Sequence, residues 1–251
     1  MRAALSQSKI SRIESGRILP TVVDVERILN ALEVPSEVAN ELLSLARAAN
    51  VDYASWRSQA RIGMWRKQAE IQALAESSRT VRQFLPAIPS GLIQAPEYAR
   101  SALSSVVDGD PEYDVDRAVR ARLESQETLE DEHRSFVFLL TEQAVRWRRA
   151  ESAAMIAQLD HMLTVAERSN VDLAVVPNNA LVCAAPLNVF VVYDDRLVVV
   201  ELFSGEVALR DPRDVTYHLN LFDYFHERSL HGEHASEFLT LVRGEYMLIR
   251  D

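Results

Sequence analysis

Five short runs rich in β-branched and aromatic residues follow one another in the second half of this 251-residue chain, and each has the length of a β-strand. They are FVFLL (136–140), VDLAVVP (171–177), NVFVVY (188–193), LVVVEL (197–202) and GEVALR (205–210). A helical stretch over 150–169 separates the first two runs and predicts a β-α-β unit. The Asp194–Asp195 pair between two later runs predicts a hairpin turn.

The rest of the chain has the spacing of apolar residues that is typical of α-helices. Residues 1–50 predict short helices, 51–130 a helical middle region, and 211–250 further helices. We therefore expect a mixed α/β (α+β) fold with two domains, 1–50 and 51–251. The second domain would combine the helical region 51–130 with an α/β region, 131–251, that holds a small mixed sheet.

Composition restricts the class of protein. Apolar residues make up 48% of the chain, which is typical of globular proteins and not of disordered ones. The formal net charge of -10 disfavours unspecific coating of nucleic acid, although a local basic face can still bind phosphates. Cys183 is the single cysteine, which excludes an intramolecular disulfide, and no apolar run is long enough to span a bilayer. We therefore expect a cytoplasmic protein without a membrane segment.

The segment SQSKISRIESG, residues 6–16, has the pattern of a DNA-reading helix. Ser6 stands where an N-cap belongs, and Gly16 stands where a helix commonly stops. Ile10 and Ile13, spaced i, i+3, predict a packed face. The opposite face carries side chains that can bond base edges in the major groove, namely Gln7, Ser8, Lys9 and Arg12.

Local charge supports the same interpretation. Residues 1–20 hold four basic residues and one acidic residue, a local charge of +3 in a chain that is negative overall. Arg17, in the turn after the helix, is placed for a phosphate contact. The alternative is an ordinary exposed helix face, because helices with polar outer faces are common.

The string SQSKISRIESGRILPTVVDVERILNALEVP resembles the second half of the helix-turn-helix of phage-repressor-like (XRE-type) regulators. The resemblance implies base-facing positions at Gln7, Ser8, Lys9 and Arg12 and backbone contacts at Ser6 and Arg17. The family's first helix and most of its second would precede Ser6, where this chain has only MRAAL. We therefore expect a truncated module with weakened DNA binding, in a chain whose start codon was assigned too late or whose module lost its first half.

A second resemblance covers most of the remaining chain. RTVRQFLPAIPSGLIQAPEYAR (79–100) is similar to the string x-P-x-x-V-P-G-L-L-Q-T-x-x-Y-A-R of the DUF5753 family, the C-terminal domain of antitoxin-like actinomycete regulators. The segments 155–177 and 197–225 extend the resemblance, whereas Ser90 and Ala95 replace the usual proline and a common threonine. The resemblance implies a regulator, often encoded beside a small partner protein, and no catalytic residues.

Glu201 lies inside the apolar run LVVVEL. A carboxylate on a buried strand needs a partner, because an unpaired buried charge is costly. We expect an ion pair with an arginine such as Arg146 or Arg210. The alternative is that Glu201 binds a ligand.

The histidines near the C-terminus raise the question of a metal site. His226, His231 and His234 lie close to Glu227 and Glu233 in the sequence. No zinc-binding motif is present, so a solvated helix end is the favoured interpretation and no metal is expected.

Two further groups of side chains have a structural interpretation. Trp56, Trp65 and Trp147 lie among arginines, and core tryptophans are favoured over a nucleic-acid face. Cys183 is expected to be a small buried side chain and not a nucleophile.

Together these patterns predict a DNA-binding transcription regulator that is not an enzyme and holds no cofactor. We expect a homodimer that reads the major groove with the helix over 6–15, while the C-terminal domain serves dimerisation, partner binding or ligand sensing. One alternative is an antitoxin-like module that binds a small neighbour-encoded protein and no longer binds DNA. Another is a small-molecule sensor or enzyme with a pocket near Glu201.

Overall fold

The computed structural model describes residues 4–249; Arg2, part of the predicted basic segment, lies outside them. Within that range, seven strands form one sheet with eleven α-helices around it, which confirms the mixed α/β class. The strands are β1 (Val51–Ser55), β2 (Thr80–Leu85), β3 (Ser135–Thr141), β4 (Val171–Val176), β5 (Phe190–Tyr193), β6 (Leu197–Leu202) and β7 (Gly205–Leu209).

The helices include all those expected at the two ends of the chain. They are α1 (Gln7–Glu14), α2 (Val22–Ala31), α3 (Ser36–Ala49), α4 (Trp56–Ile62), α5 (Met64–Glu76), α6 (Pro96–Leu103), α7 (Val115–Ser125), α8 (Glu142–Arg146), α9 (Ser152–Ala166), α10 (Pro212–His226) and α11 (Gly232–Leu248). Two short 3-10 helices cover Gly91–Ile93 and Gln126–Glu130. No helix in the described range is long and apolar enough to cross a membrane.

The N-terminal helices begin and end where their capping residues predict. Ser6 Oγ accepts a hydrogen bond from the backbone N–H of Lys9 at 3.2 Å, which confirms the predicted N-cap of α1. Gly16 follows α1 with φ +68°, a conformation that favours glycine. Ile10 and Ile13 are half-buried, whereas Val22 and Leu29 of α2 are buried.

The sheet is mixed, with the strand order β1-β7-β6-β5-β2-β3-β4. β2, β3 and β4 are parallel, and the other neighbours are antiparallel. The unit β3-α9-β4 confirms the predicted β-α-β arrangement. Asp194 forms the predicted turn between β5 and β6 with φ +53°, and its Oδ1 accepts hydrogen bonds from Arg79 N and Thr80 N, each at 2.9 Å. This turn is therefore bound to the start of β2.

The middle region is mostly helical, as predicted, but it also contributes two strands that were not predicted, and the sheet is larger than expected. Residues 51–130 supply α4 to α7 but also β1 at one edge of the sheet and β2 near its centre. Arg82 and Gln83 interrupt the apolar pattern of β2, so the segment does not look like a strand in isolation. It becomes one because β3 and β5 pair with it on both sides.

The two faces of the sheet have separate apolar cores. One face carries Phe136, Phe138 and Leu140 of β3 and packs against buried side chains of α9 and α11. The opposite face packs against α10, where Phe84 of β2 stacks on Phe225 with ring centroids 4.6 Å apart. The first face is also partly covered by α5 and α7, and it is there that the sheet and the helices leave an open space.

Candidate functional site

The outer face of α1 is exposed and largely without intramolecular contacts. The side chains of Gln7, Arg12 and Arg17 are exposed and make no hydrogen bond or ion pair with other residues of the range 4–249. Ser8 is also exposed, and its Oγ lies 3.1 Å from Oγ of the capping residue Ser6. The structure therefore brings these predicted DNA-contacting residues together at the start and along one side of α1.

Lys9 differs from its neighbours because its ammonium group binds α2. Lys9 Nζ donates to Asp24 Oδ1 at 2.7 Å, and the Asp24 side chain is only 4% exposed. The other Asp24 oxygen accepts from Thr21 N at 3.1 Å. Burial opposes ionisation of Asp24, but the bonds from Lys9 and Thr21 outweigh it and lower the pKa of the carboxyl group. The base contact of Lys9 stays a prediction.

The predicted ion pairs of Glu201 with Arg146 or Arg210 are wrong, because both arginines have nearer carboxylates. Arg146 donates to Glu142 Oε1 at 2.5 Å and also bonds Glu245. Arg210 donates to Asp52 Oδ2 at 2.5 Å. The carboxyl group of Glu201 bonds no other residue in the described part of the chain, and only its backbone is paired.

Glu201 instead lines a cavity of about 860 Å³. The floor is one face of the sheet, where Gln83 is opposite Val191, Val191 is opposite Val199, and Glu201 is opposite Glu206. The walls come from α5, α7, the loop around the first 3-10 helix and the segment after α6, and include Met64, Lys67, Gln68, Ile71, Leu74, Ile88, Gly91, Gln94, Tyr113 and Arg122. The residues at 88–94 belong to the string at 79–100 that carries the second resemblance.

One pair of oppositely charged side chains in this cavity, Lys67 and Glu206, forms an ion pair. Lys67 Nζ donates to Glu206 Oε1 at 2.5 Å, and Gln59 Nε2 donates to the same oxygen at 3.1 Å. Lys67 and Glu206 are both buried. The two charges balance each other, and the ion pair joins α5 to β7.

A second pair of opposite charges, Arg122 and Glu201, lines the cavity without bonding. Arg122 Nη1 donates to Gln94 Oε1 at 2.8 Å, but its Nε is buried and has no partner among the described residues. Burial raises the pKa of Glu201, and the charge of Arg122 partly offsets that effect. Burial likewise lowers the pKa of Arg122. Glu201 as a whole residue is exposed to solvent, and it lines the cavity on the sheet side.

Sequence reasoning identified Glu201 and missed Arg122. The helix α7 has several arginines in a polar pattern, and nothing in that pattern distinguishes Arg122 from Arg117 or Arg120. The distinguishing feature is a contact with the loop before α6. A Cβ added to Gly91 would lie 3.1 Å from Arg122 Nε, so the glycine lets this arginine enter the cavity wall.

The histidines converge differently from the sequence expectation. Asp172 on β4, His226 and His231 have candidate ligand atoms within 4.8 Å of one another, while His234 lies by Glu237. His226 Nε2 is 2.9 Å from Asp172 Oδ2, and His231 Nε2 is 2.9 Å from the carbonyl oxygen of His226. Hydrogen bonds among these groups account for their arrangement.

The tryptophans and the cysteine are not core residues, contrary to expectation. Trp147 is 62% exposed because it lies where the chain leaves the short helix α8. Trp56 Nε1 donates to Leu202 O at 3.0 Å, and the guanidinium of Arg117 lies 4.0 Å from the Trp65 ring centroid. Cys183 is exposed, in the loop between β4 and β5.

Several solved structures have some likeness to this chain. Nuc, a phospholipase D family member from Salmonella typhimurium, is 11% identical over 72% of this chain and 97% of its own, with a TM-score of 0.41. NucT from Helicobacter pylori is 10% identical over 72% of this chain and 98% of its own, also at 0.41. TrmBL2, an archaeal chromatin protein, is 13% identical over 90% of this chain and 71% of its own, at 0.37. Likeness at this level carries no argument about function.

Family comparisons are more specific. No curated protein matches the chain. Residues 1–42 match a helix-turn-helix domain, and residues 68–240 match DUF5753, a domain of unknown function. Since the second match spans more than half of the sequence, the chain belongs to the DUF5753 family and has a helix-turn-helix domain at its N-terminus.

Proposed function

We propose that this protein is a DNA-binding transcription regulator of the XRE type that reads the major groove with α1. The observation that carries the proposal is that Gln7 and Arg12 are exposed and unbonded within residues that match a helix-turn-helix domain. A reading helix needs a packed side and a polar side near its N-terminus, and α1 has both. The proposal assigns no catalytic step to the chain.

The residues of α1 divide into base-reading and backbone-binding groups. Gln7 can form a bidentate pair with adenine, and Arg12 can do so with guanine. Arg17 follows α1 and supplies a phosphate contact. The Ser6 and Ser8 hydroxyls lie at the start of α1. Lys9 reaches a base only by leaving Asp24, so we assign it mainly to holding α1 against α2.

The DNA-binding form would be a homodimer. A single α1 offers few base contacts, and two copies on half-sites about one helical turn apart would add their binding free energies. The C-terminal domain would supply the dimer contact or respond to a ligand. Binding of a small neighbour-encoded protein stays a prediction.

An electrophoretic mobility-shift assay tests the proposal. The probe is the duplex directly upstream of the protein's own gene, and the competitor is a scrambled duplex of the same composition. We expect the upstream duplex to be shifted at lower protein concentration, and Gln7→Ala plus Arg12→Ala to remove that preference.

The matched control replaces the same residue types elsewhere. Gln143 and Arg120 are exposed and lie outside α1, so Gln143→Ala plus Arg120→Ala should leave the shift unchanged. An upstream duplex that is never preferred by the unmodified protein would refute the proposal. Capture of a neighbour-encoded protein together with that result would favour the antitoxin-like alternative.

A further inference from the structure

We propose that the cavity between the sheet, α5 and α7 binds a small zwitterionic organic molecule of the amino-acid class. Its cationic group would bond Glu201, its carboxylate would bond Arg122, and its apolar part would lie along the aliphatic wall. This inference does not rest on DNA binding, because it concerns the C-terminal domain alone.

The size and lining of the cavity are those of a ligand site. A volume of about 860 Å³ lies within the range of roughly 300–1,000 Å³ that small-molecule sites occupy. Ile71, Leu74, Leu85, Val191 and Val199 provide an apolar surface beside the polar groups. Ligand sites commonly combine such a surface with a few polar groups that fix orientation.

The polar groups of the cavity have unused bonding capacity. Buried donors and acceptors in folded proteins nearly always have partners, so an exception calls for an explanation. Arg122 Nε is such an exception within the described residues. Gln68 and Gln83 are buried, and their amide groups bond no other described residue. A ligand that lies between Gln68 and Gln83 would bond their free amide groups.

The charges favour a zwitterion over a simple anion or cation. Lys67 and Glu206 already bond each other, so Arg122 and Glu201 are left as charged cavity residues without a bonded counter-charge among residues 4–249. An anion alone would leave Glu201 unpaired and add a second negative charge near it. A cation alone would leave Arg122 unpaired. A molecule with both groups bonds both residues and keeps the cavity neutral.

The ionisation of Glu201 is consistent with this assignment. Burial raises its pKa, Arg122 and Lys67 lower it, and Glu206 raises it. Arg57, Arg149 and Asp110 are exposed at the rim. A bound ammonium group would favour the ionised carboxylate, in the same direction as Arg122 and Lys67.

The test measures the melting temperature of the full chain with each of the twenty standard amino acids, without DNA. We expect at least one to raise the melting temperature in a concentration-dependent way. For that amino acid, the analogue without the amino group and the analogue without the carboxylate should each bind at least about tenfold more weakly by calorimetry, the change that 1.4 kcal/mol produces.

Variants assign the binding to this cavity. Glu201→Gln keeps the shape of the side chain, and we expect it to weaken binding of the zwitterion by about tenfold or more while binding of the analogue without the amino group changes little. Glu227→Gln removes an exposed carboxylate far from the cavity and should have no effect. If no amino acid stabilises the protein, or if Glu201→Gln binds like the unmodified chain, the proposal is wrong. Failure of DNA binding would not affect either result.

Discussion

Lys9 on α1 and Asp24 on α2 form a hydrogen-bonded ion pair, Nζ to Oδ1 at 2.7 Å, that joins the first two of the three helices of the N-terminal region. Asp24 also closes the capping box at the start of α2 through Thr21. The same carboxylate therefore fixes the first turn of one helix and the position of the other. Ile10 and Ile13 are only half-buried, so this pair is a further contact between α1 and α2.

Replacing Lys9 should destabilise the chain more than replacing its exposed neighbour Arg12. Lys9→Met keeps the aliphatic length but leaves the buried Asp24 without its charged donor, which should cost about 1–3 kcal/mol. Arg12→Met removes an exposed charge that has no partner within residues 4–249 and should change stability by less than about 0.5 kcal/mol. Urea denaturation of both variants measures the difference, and equal stabilities would contradict this role of Lys9.

The Asp24 carboxyl should make stability depend on acidic pH. Its pKa in the folded chain lies below the ordinary value of 3.8, so its contribution is present above pH 3.8 and is lost as pH falls through the folded pKa. Asp24→Asn should be less stable than the unmodified chain at neutral pH, with the difference shrinking as pH falls below 3.8. Urea unfolding curves across that range measure it, and a difference independent of pH would oppose the assignment.

The Glu201 carboxyl should make stability depend on pH in the opposite direction from Asp24. Its pKa is raised above the ordinary 4.5, so its contribution to stability is fully present below pH 4.5 and is lost as pH rises through the folded pKa. Glu201→Gln cannot ionise, so it should lose less stability than the unmodified chain between pH 4.5 and neutrality. Chemical denaturation of both proteins without amino acids provides the comparison. Parallel pH profiles would show that Glu201 ionises normally.

Replacing Gly205 by alanine, the smallest possible side chain, should destabilise the protein. A Cβ at this position would overlap the carbonyl oxygen of Ala54, where β7 pairs with β1. Gly205→Ala should therefore destabilise the chain by about 1–3 kcal/mol and weaken the edge strand that follows the N-terminal helices. Gly244→Ala is the control, because nothing lies within 4 Å of its added Cβ and alanine favours the helix α11. Equal effects of the two changes would argue against the close strand contact.

The sequence predicts this fold best where local pattern and tertiary environment agree. Ser6 and Gly16 bound α1 because capping is a local interaction, and the runs from 136 to 210 are strands because nearly all their residues are apolar or β-branched. β2 was not predictable, because pairing with β3 and β5 decides its conformation.

The candidate sites divide in the same way. The exposed face of α1 follows from helical spacing alone. The cavity depends on Arg122 and Glu201, which are 79 positions apart and line it from α7 and β6, so no local pattern connects them.

The most direct test of the central claim, that the face of α1 meets DNA, is the salt dependence of duplex binding by fluorescence anisotropy. Each phosphate contact contributes about 0.9 to the slope of log affinity against log salt concentration. Arg17→Gln should reduce that slope by about 0.9 on the upstream duplex and on the scrambled one, whereas Arg120→Gln should leave it unchanged. A slope for Arg17→Gln equal to that of the unmodified chain, with equal affinity, would contradict the claim.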